Sequence, residues 1–506
     1  MTIFNFKSAV LTVVVGGLFS VSAVAGKPNS NTKPYPYNNP VIQHMYTADA
    51  APHVMPDGRV WMATSVDHEE GGNYSTMHEY HTFSSAELTK WTDHGSVLHL
   101  DDVIEKENPK VDDWALWAPD LVYRDGKYYL FYPVHILHRQ IKNPPSGWPV
   151  GKTTYIAVAV ADSPDEKFTV IQHKIPMSEG MDPAVFIDDD DQVYMYWSDQ
   201  YVVDGVVHGV LKYARLKDNM IELAEAPKTL DVGADHFMEA AWMHKRKGRY
   251  YFSYHTHYQK PISPQNPDDP ERMKSHLDYS WGDSPTGPLA YGGVMNKEIG
   301  VGVPTDTLMP KGDVVPWRLT QSNHGGIVEF HGQDYLFYHS SALSSWRQDE
   351  FKGPGTWTQR SVSIDSLNYT DGGRVIPVQQ TLESVSPVTV KQPFEIDFGT
   401  VSFGPKNQIK LAQVELGSGY YYFDATITPA DIDGRIEIRL DHANGPLVGT
   451  IVLTEQRLKA RHGLVDTFVR DAKGTRDVYL IHHPEHKHGS VSLSGARFFA
   501  GHPKGL

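Results

Sequence analysis

Three acidic residues occupy the same local setting at widely separated points of the chain. Asp49 in YTADAAPHV, Asp182 in EGMDPAVF and Glu239 in HFMEAAW each stand just before a small residue and the start of an apolar strand. A pair of carboxyl groups can hydrolyse a glycosidic bond, one protonating the leaving oxygen while the other activates water or attacks the anomeric carbon. A third carboxyl beside the proton donor raises its pKa and keeps it protonated near neutrality. Any one of these acids alone reads as a turn residue or a strand cap. Three in register point to a shared site.

The elements that would position them repeat. An apolar strand, a tight turn and a strand dense in aromatics recur as APHVMPDGRVWMAT, PDLVYRDGKYYLFY, PAVFIDDDDQVYMYW, AAWMHKRKGRYYFSY and GGIVEFHGQDYLFYH. Each copy is extended by further short strands such as TYIAVAVADS and HLDYSWGDS. The intervals of roughly 60 to 85 residues suit blades of four antiparallel strands better than the shorter spacing of an irregular β-sandwich. A five-bladed β-propeller over residues 41–387 is therefore expected. In that fold the innermost strand of each blade begins near the central channel, so the polar residue before it faces a common funnel. Those residues are Asp49, Asp120 near Trp117, Asp182, Glu239 and the pair Asn323 and His324.

After Pro387 the pattern changes to FEIDFGTVSF, YYYFDATITP, GRIEIRLDHANGPLVGTIVL, RDVYLIHH and GSVSLSGARFF, alternating strands with Gly, Asn and Pro turns. This predicts a separate, jelly-roll-like β-sandwich over 388–506. The whole chain reads as all-β, and 506 residues fit two domains. Upstream, residues 26–40 (GKPNSNTKPYPYNNP) lack a hydrophobic period and read as a linker.

The first 25 residues combine Lys7, an apolar run and a small-residue end at Ala23, Val24 and Ala25, the pattern of a signal peptide cleaved before Gly26. The run is shorter than the roughly 20 residues of a spanning helix, so the periplasm or the outside medium is expected rather than membrane insertion. With no cysteine, neither disulfides nor a lipid-bearing cysteine can hold the protein. The net charge of -15 argues against nucleic acid and anionic membranes and favours a neutral partner such as a carbohydrate.

Taken together, YTADAAPHV, WAPDLVYRDGKYYLFY, MDPAVFIDDDDQVYMYW, MEAAWMHKRKGRYYFSYH and NHGGIVEFHGQDYLFYH resemble glycoside hydrolase family 43 over roughly Asn39 to Gln380. The resemblance implies that Asp49 is the general base, Asp182 the residue that tunes pKa and Glu239 the general acid. It also implies that His324 lies on the channel axis, where a histidine commonly helps hold a calcium ion as structural support; a hydrogen-bonded histidine without metal is the alternative. No cofactor is needed for the chemistry. Trp117 and Trp242 are candidates for the apolar wall against the sugar's C–H faces, or ordinary core. The tail, through EIRLDHANGPLVGTIVL and RDVYLIHH, resembles a family 6 carbohydrate-binding module over about Phe394 to Phe499, as a working sugar binder or a buttress.

The expected activity is an exported, inverting, exo-acting removal of α-L-arabinofuranosyl or β-D-xylosyl units from a plant or algal polysaccharide. The alternatives are a non-catalytic sugar-binding propeller and a retaining propeller hydrolase with a nucleophile in place of the base. Two further features tempt. The run Asp188 to Asp191 reads as a solvated hairpin loop rather than a cation site, and the tract His482 to His488 as an exposed loop without metal.

Overall fold

The computed structural model describes residues 33–500 except 71–73, 104–113, 137–153, 204–205, 235–236, 260–272, 298–321, 354, 357, 405, 430–431 and 487–489. The expected signal peptide lies outside the described residues. The fold is all-β, with five antiparallel sheets following one another along the chain. Their innermost strands are Tyr46–Val54, Asp120–Arg124, Met181–Ile187, Phe237–Arg246 and Gly326–Phe330.

The repeated turn determines each hairpin. In the second, fourth and fifth sheets two residues join the first pair of strands, and both have positive φ: Asp125 and Gly126, Lys247 and Gly248, His331 and Gly332. Such turns match the right-handed twist of the flanking strands.

Each sheet packs on the next, and the fifth on the first. Apolar clusters join the sheets pairwise: Tyr80 with Tyr132, Phe131 with Met195, Tyr196 with Phe252, Tyr279 with Tyr338, and Phe83 with Phe337. The innermost strands touch in the same cyclic order, so the five sheets close into a ring. The segment expected as a tether helps to close it. Buried Asn39 accepts from Ile364 N–H at 3.0 Å and donates to the carbonyls of Ile364 and Thr381, while Val41 N–H reaches Val362 O at 2.8 Å. These contacts tie the start of the first sheet to the last one.

Residues 395–499 form two more antiparallel sheets around one core that includes Phe423, Ile436, Ile438, Leu480 and Phe498. This part sits against the turn end of the ring, opposite the strand starts. Arg457 grips Asp125 with two bonds of 3.0 and 2.7 Å and Asp191 with one of 2.8 Å. Arg470 pairs with Asp189 at 2.7 Å, and Asp471 accepts from Lys247 N–H. Between the ring and this cap lies a chamber of about 180 Å³ walled by both, with Trp242, His244 and Phe468 among its lining residues.

Two sequence expectations change here. The run Asp188 to Asp191 is a hairpin turn but not a solvated one: Asp188 and Asp189 are 9% and 8% exposed. Lys245 binds both at 2.6 and 2.8 Å, because the turn is pressed between its own ring and the cap. In the His482 to His488 tract, His482 is buried within the strand Thr475–His483, and only its following residues leave the sheet; Lys487 and His488 lie outside the described residues.

The ion pairs at this interface differ in depth, and their effects on stability should differ with it. Arg457→Ala leaves Asp125 and Asp191 with less compensation and is expected to lower stability by about 2 kcal/mol. Lys459→Ala removes an exposed partner of Glu455 and should leave the urea midpoint unchanged. Equal midpoints for the two variants would remove the Arg457 cluster from the interface energetics.

Candidate active site

Where the innermost strands begin, their pairing breaks. Register shifts fall between Ala48 and Ala51, between Met181 and Ala184, and on both sides of Glu239. At each break one non-glycine residue is left-handed: Asp49 at φ 57°, Asp182 at 53° and Ala240 at 62°. A bulge of this kind re-aims the side chain at the break, and here it turns successive acids toward the ring axis. The small residues that follow are needed for convergence. A side chain on Gly326 would overlap Pro52 and the carbonyl of Ala50, so only glycine lets the fifth strand start meet the first. Asp49, Pro119, Pro183, Ala240 and His324, one from each sheet, line a single small cavity on the axis.

Asp49 is 3% exposed and densely partnered. Arg360 Nη1 and His324 Nδ1 each lie 3.0 Å from its Oδ1, His339 Nδ1 at 3.6 Å, and Ser65 donates to Oδ2. Burial alone would raise its pKa, but the charges of Arg360 and His324 outweigh that and hold it well below the usual carboxylate range. Arg360, 1% exposed, is itself fixed by Asp67 through bonds of 2.9 Å from Nε, 2.8 Å from Nη2 and 2.8 Å from its backbone N–H.

Asp182 and Glu239 go the other way. Burial raises the pKa of both, their mutual repulsion raises Asp182 further, and Asp49 adds to each. Near neutrality the pair therefore retains a proton that two free carboxyls would have lost. Asp182 Oδ2 accepts from Ala240 N–H at 3.1 Å, which anchors it beside Glu239. His324 stands among all three acids, with Nε2 3.7 Å from Asp182, and despite its burial these charges push its pKa up to about 9. Its contribution to stability is thus complete below about pH 6.5, the ordinary histidine value, and lost as the pH rises through about 9.

The other expected residues are placed differently. Asp120 is not with the acids: its Oδ1 meets His53 Nε2 at 2.7 Å and its Oδ2 accepts from Val185 N–H at 2.6 Å, so it joins three sheets. Asn323 accepts from His339 N–H at 2.9 Å. Trp117 donates to Tyr74 O at 2.9 Å, and the Tyr74 ring lies 5.2 Å from the Arg360 guanidinium. Trp242 is 8% exposed, donates to Ile327 O and packs on His53 beneath the acids.

A calcium ion takes six to eight oxygen ligands. Among the described residues no group of three His, Asp or Glu side chains converges as a metal site, and His324 already spends Nδ1 on Asp49 and Ser322 O. These residues do not fit a directly bound calcium, and no step below runs through one. Arg360 and Asp67 were not evident in the sequence, since no motif surrounds them, and His339, the last residue of the repeat GGIVEFHGQDYLFYH, was not singled out because it stands near a strand end rather than before a strand start.

A buried carboxylate held ionised, next to two carboxyls that retain a proton, on the axis of a closed ring of sheets, is equipped for acid and base catalysis. Comparison with known proteins agrees. Residues 37–276 match the sequence profile of glycosyl hydrolases family 43. The chain is 32% identical over 386 residues to Xylosidase/arabinosidase 43A of Humicola insolens, spanning 67% of this chain and 98% of that one. It is 31% identical to a Xylosidase/arabinosidase of Bacteroides ovatus, over 66% and 95% of the two chains. The family 43 arabinoxylan arabinofuranohydrolase structure from Bacillus subtilis has the same fold across 92% of this chain and 97% of its own, at a TM-score of 0.50 and 23% identity. The chain belongs to glycosyl hydrolases family 43. It is a glycosidase.

Proposed function

We propose that this protein is an exported, inverting, exo-acting hydrolase that removes α-L-arabinofuranosyl or β-D-xylosyl units from xylan or arabinoxylan. The observation that carries the reading is the opposite bias of the acids: Asp49 is held ionised by Arg360 and His324, while burial and mutual repulsion keep a proton on Asp182 and Glu239. In this reading Asp49 activates water, Glu239 protonates the leaving oxygen, and Asp182 raises the pKa of Glu239 and orients it. Trp117 forms the wall of the sugar site and Trp242 its floor. The substrate class rests on the named activities of the relatives. A binding protein has no need of a proton donor beside an ionised base, which favours catalysis over the lectin-like alternative.

In the same reading residues 1–25 are a signal peptide, 41–387 a five-bladed β-propeller and 388–506 a β-sandwich related to family 6 carbohydrate-binding modules. The ion pairs of Arg457 and Arg470 with the propeller turns support a buttress. Hydrolysis of aryl pentosides and arabinoxylo-oligosaccharides, followed by NMR, is the deciding experiment. The first sugar released should have the anomeric configuration opposite to that of the substrate. Retention would transfer Asp49 from base to nucleophile and overturn the inverting assignment.

A further inference from the structure

The third sheet sends an arm past its own innermost strand. The strands Val193–Val203 and Val206–Arg215 pair along their whole length, whereas Met181–Ile187 reaches only as far as Ser198. Beyond that point Gln200 pairs with Gly209 across the arm. Gly209 lies directly on the backbone of Met238, where any side chain would overlap the Met238 carbonyl. Glycine here lets the arm close on the innermost strand of the fourth sheet, one residue from Glu239. Gln200 Nε2 then donates to Glu239 Oε2 at 3.1 Å, while its own backbone N–H is held by Asp199 Oδ1 at 2.9 Å.

We propose that Gln200 is a positioning residue for the proton donor, holding Glu239 in one place in both of its protonation states. This rests on the reading of Glu239 as general acid. A general acid alternates between carboxylic acid and carboxylate once per turnover, and a partner of fixed polarity serves only one of the two. An arginine or lysine would favour the anion, and a carboxylate would favour the acid. A glutamine amide donates from its NH₂ to the carboxylate and accepts at its carbonyl from the protonated form, the two being exchanged by rotation about a soft terminal torsion.

The charged groups facing Glu239 have fixed preferences. The charges of His324 and Arg360 favour the anion, and burial, Asp49 and Asp182 oppose it, while the Ser322 hydroxyl, like an amide, can donate to the carboxylate or accept from the acid. On the arm itself Asp199 is the neighbouring acid. Gln200 thus stays bonded to Glu239 in both states, more strongly to the carboxylate because that bond is charge-assisted.

The test compares Gln200→Leu and the isosteric Gln200→Glu with the parent enzyme, each checked for native circular dichroism. Rates are measured against pH on an arabinoxylo-oligosaccharide and on a dinitrophenyl pentoside. In Gln200→Leu the carboxylate loses a charge-assisted bond, so the alkaline limb of kcat/KM on the oligosaccharide should move up by about one pH unit. Its kcat should fall several-fold with KM nearly unchanged, and Gln200→Glu should move the limb further in the same direction. The dinitrophenyl substrate should be much less affected. A fall in kcat without movement of the limb would reduce Gln200 to a structural contact, and no change in either would remove it from the mechanism. Glu239→Gln, run in parallel, tests the underlying assignment: if it hydrolyses the oligosaccharide normally, the acid is elsewhere and the failure lies there rather than with Gln200.

Discussion

Glu239→Gln should lower kcat/KM on a natural oligosaccharide by about a thousandfold while leaving a dinitrophenyl glycoside within about tenfold of the parent. An alkoxide leaving a glycan is a strong base and, in the proposed roles, depends on a proton from Glu239; a dinitrophenolate leaves with little help. Glutamine keeps the size of the side chain and can still meet Gln200, so the loss isolates the transferable proton. Asp49→Asn should damage both substrates, because water must be activated in either case. Equal losses on both substrates for both variants, in folded protein, would leave the two roles without support.

Arg360→Met is expected to be the most damaging single change to the folded state. Arg360 holds Asp67 with three bonds and Asp49 with one, all buried. Methionine fills much of the same space but strands two buried carboxylates, a loss of about 3 to 5 kcal/mol in chemical denaturation. The remaining activity should also change its pH dependence. With Arg360 present, the pKa of Asp49 is depressed, and its stabilising contribution holds above the ordinary aspartate value and is lost as the pH falls. Without that charge only His324 and His339 are left to set against burial, the pKa rises, and the acid limb of kcat/KM should appear at higher pH. Arg360→Lys keeps the charge but not the fork and should fall between the two. An unchanged denaturation midpoint together with an unchanged acid limb would show that Arg360 does not hold Asp49 ionised.

Much of this was legible in the sequence because it is local. The alternation of apolar and polar residues, the two-residue turns such as Asp125 and Gly126, and the acid placed before a small residue all act within a few positions of one another. That is why Asp49, Asp182 and Glu239 could be picked out. Arg360 could not, because its position beside Asp49 is created by closure of the fifth sheet on the first, more than three hundred residues apart in the chain. The run Asp188 to Asp191 misled for the same reason. A turn rich in aspartate looks solvated until a second unit supplies Arg470, a contact with no trace in the local pattern. Asp120 shows the converse: it shares the strand-start setting, yet His53 and the Val185 N–H take both its oxygens for structure.

Among the described residues the cap covers the turn end of the ring axis. Tyr421, Phe468 and Arg470 stand across the far opening, and Trp242 lies between that chamber and the acids. In the proposed exo-acting reading the site then works as a cul-de-sac: the sugar being removed must back out the way it came. On that reading each catalytic cycle would include an obligatory retreat, during which the freed pentose and the shortened chain compete for the same exit. Accumulating monosaccharide would occupy the same blind end as the next substrate, making product inhibition competitive by architecture.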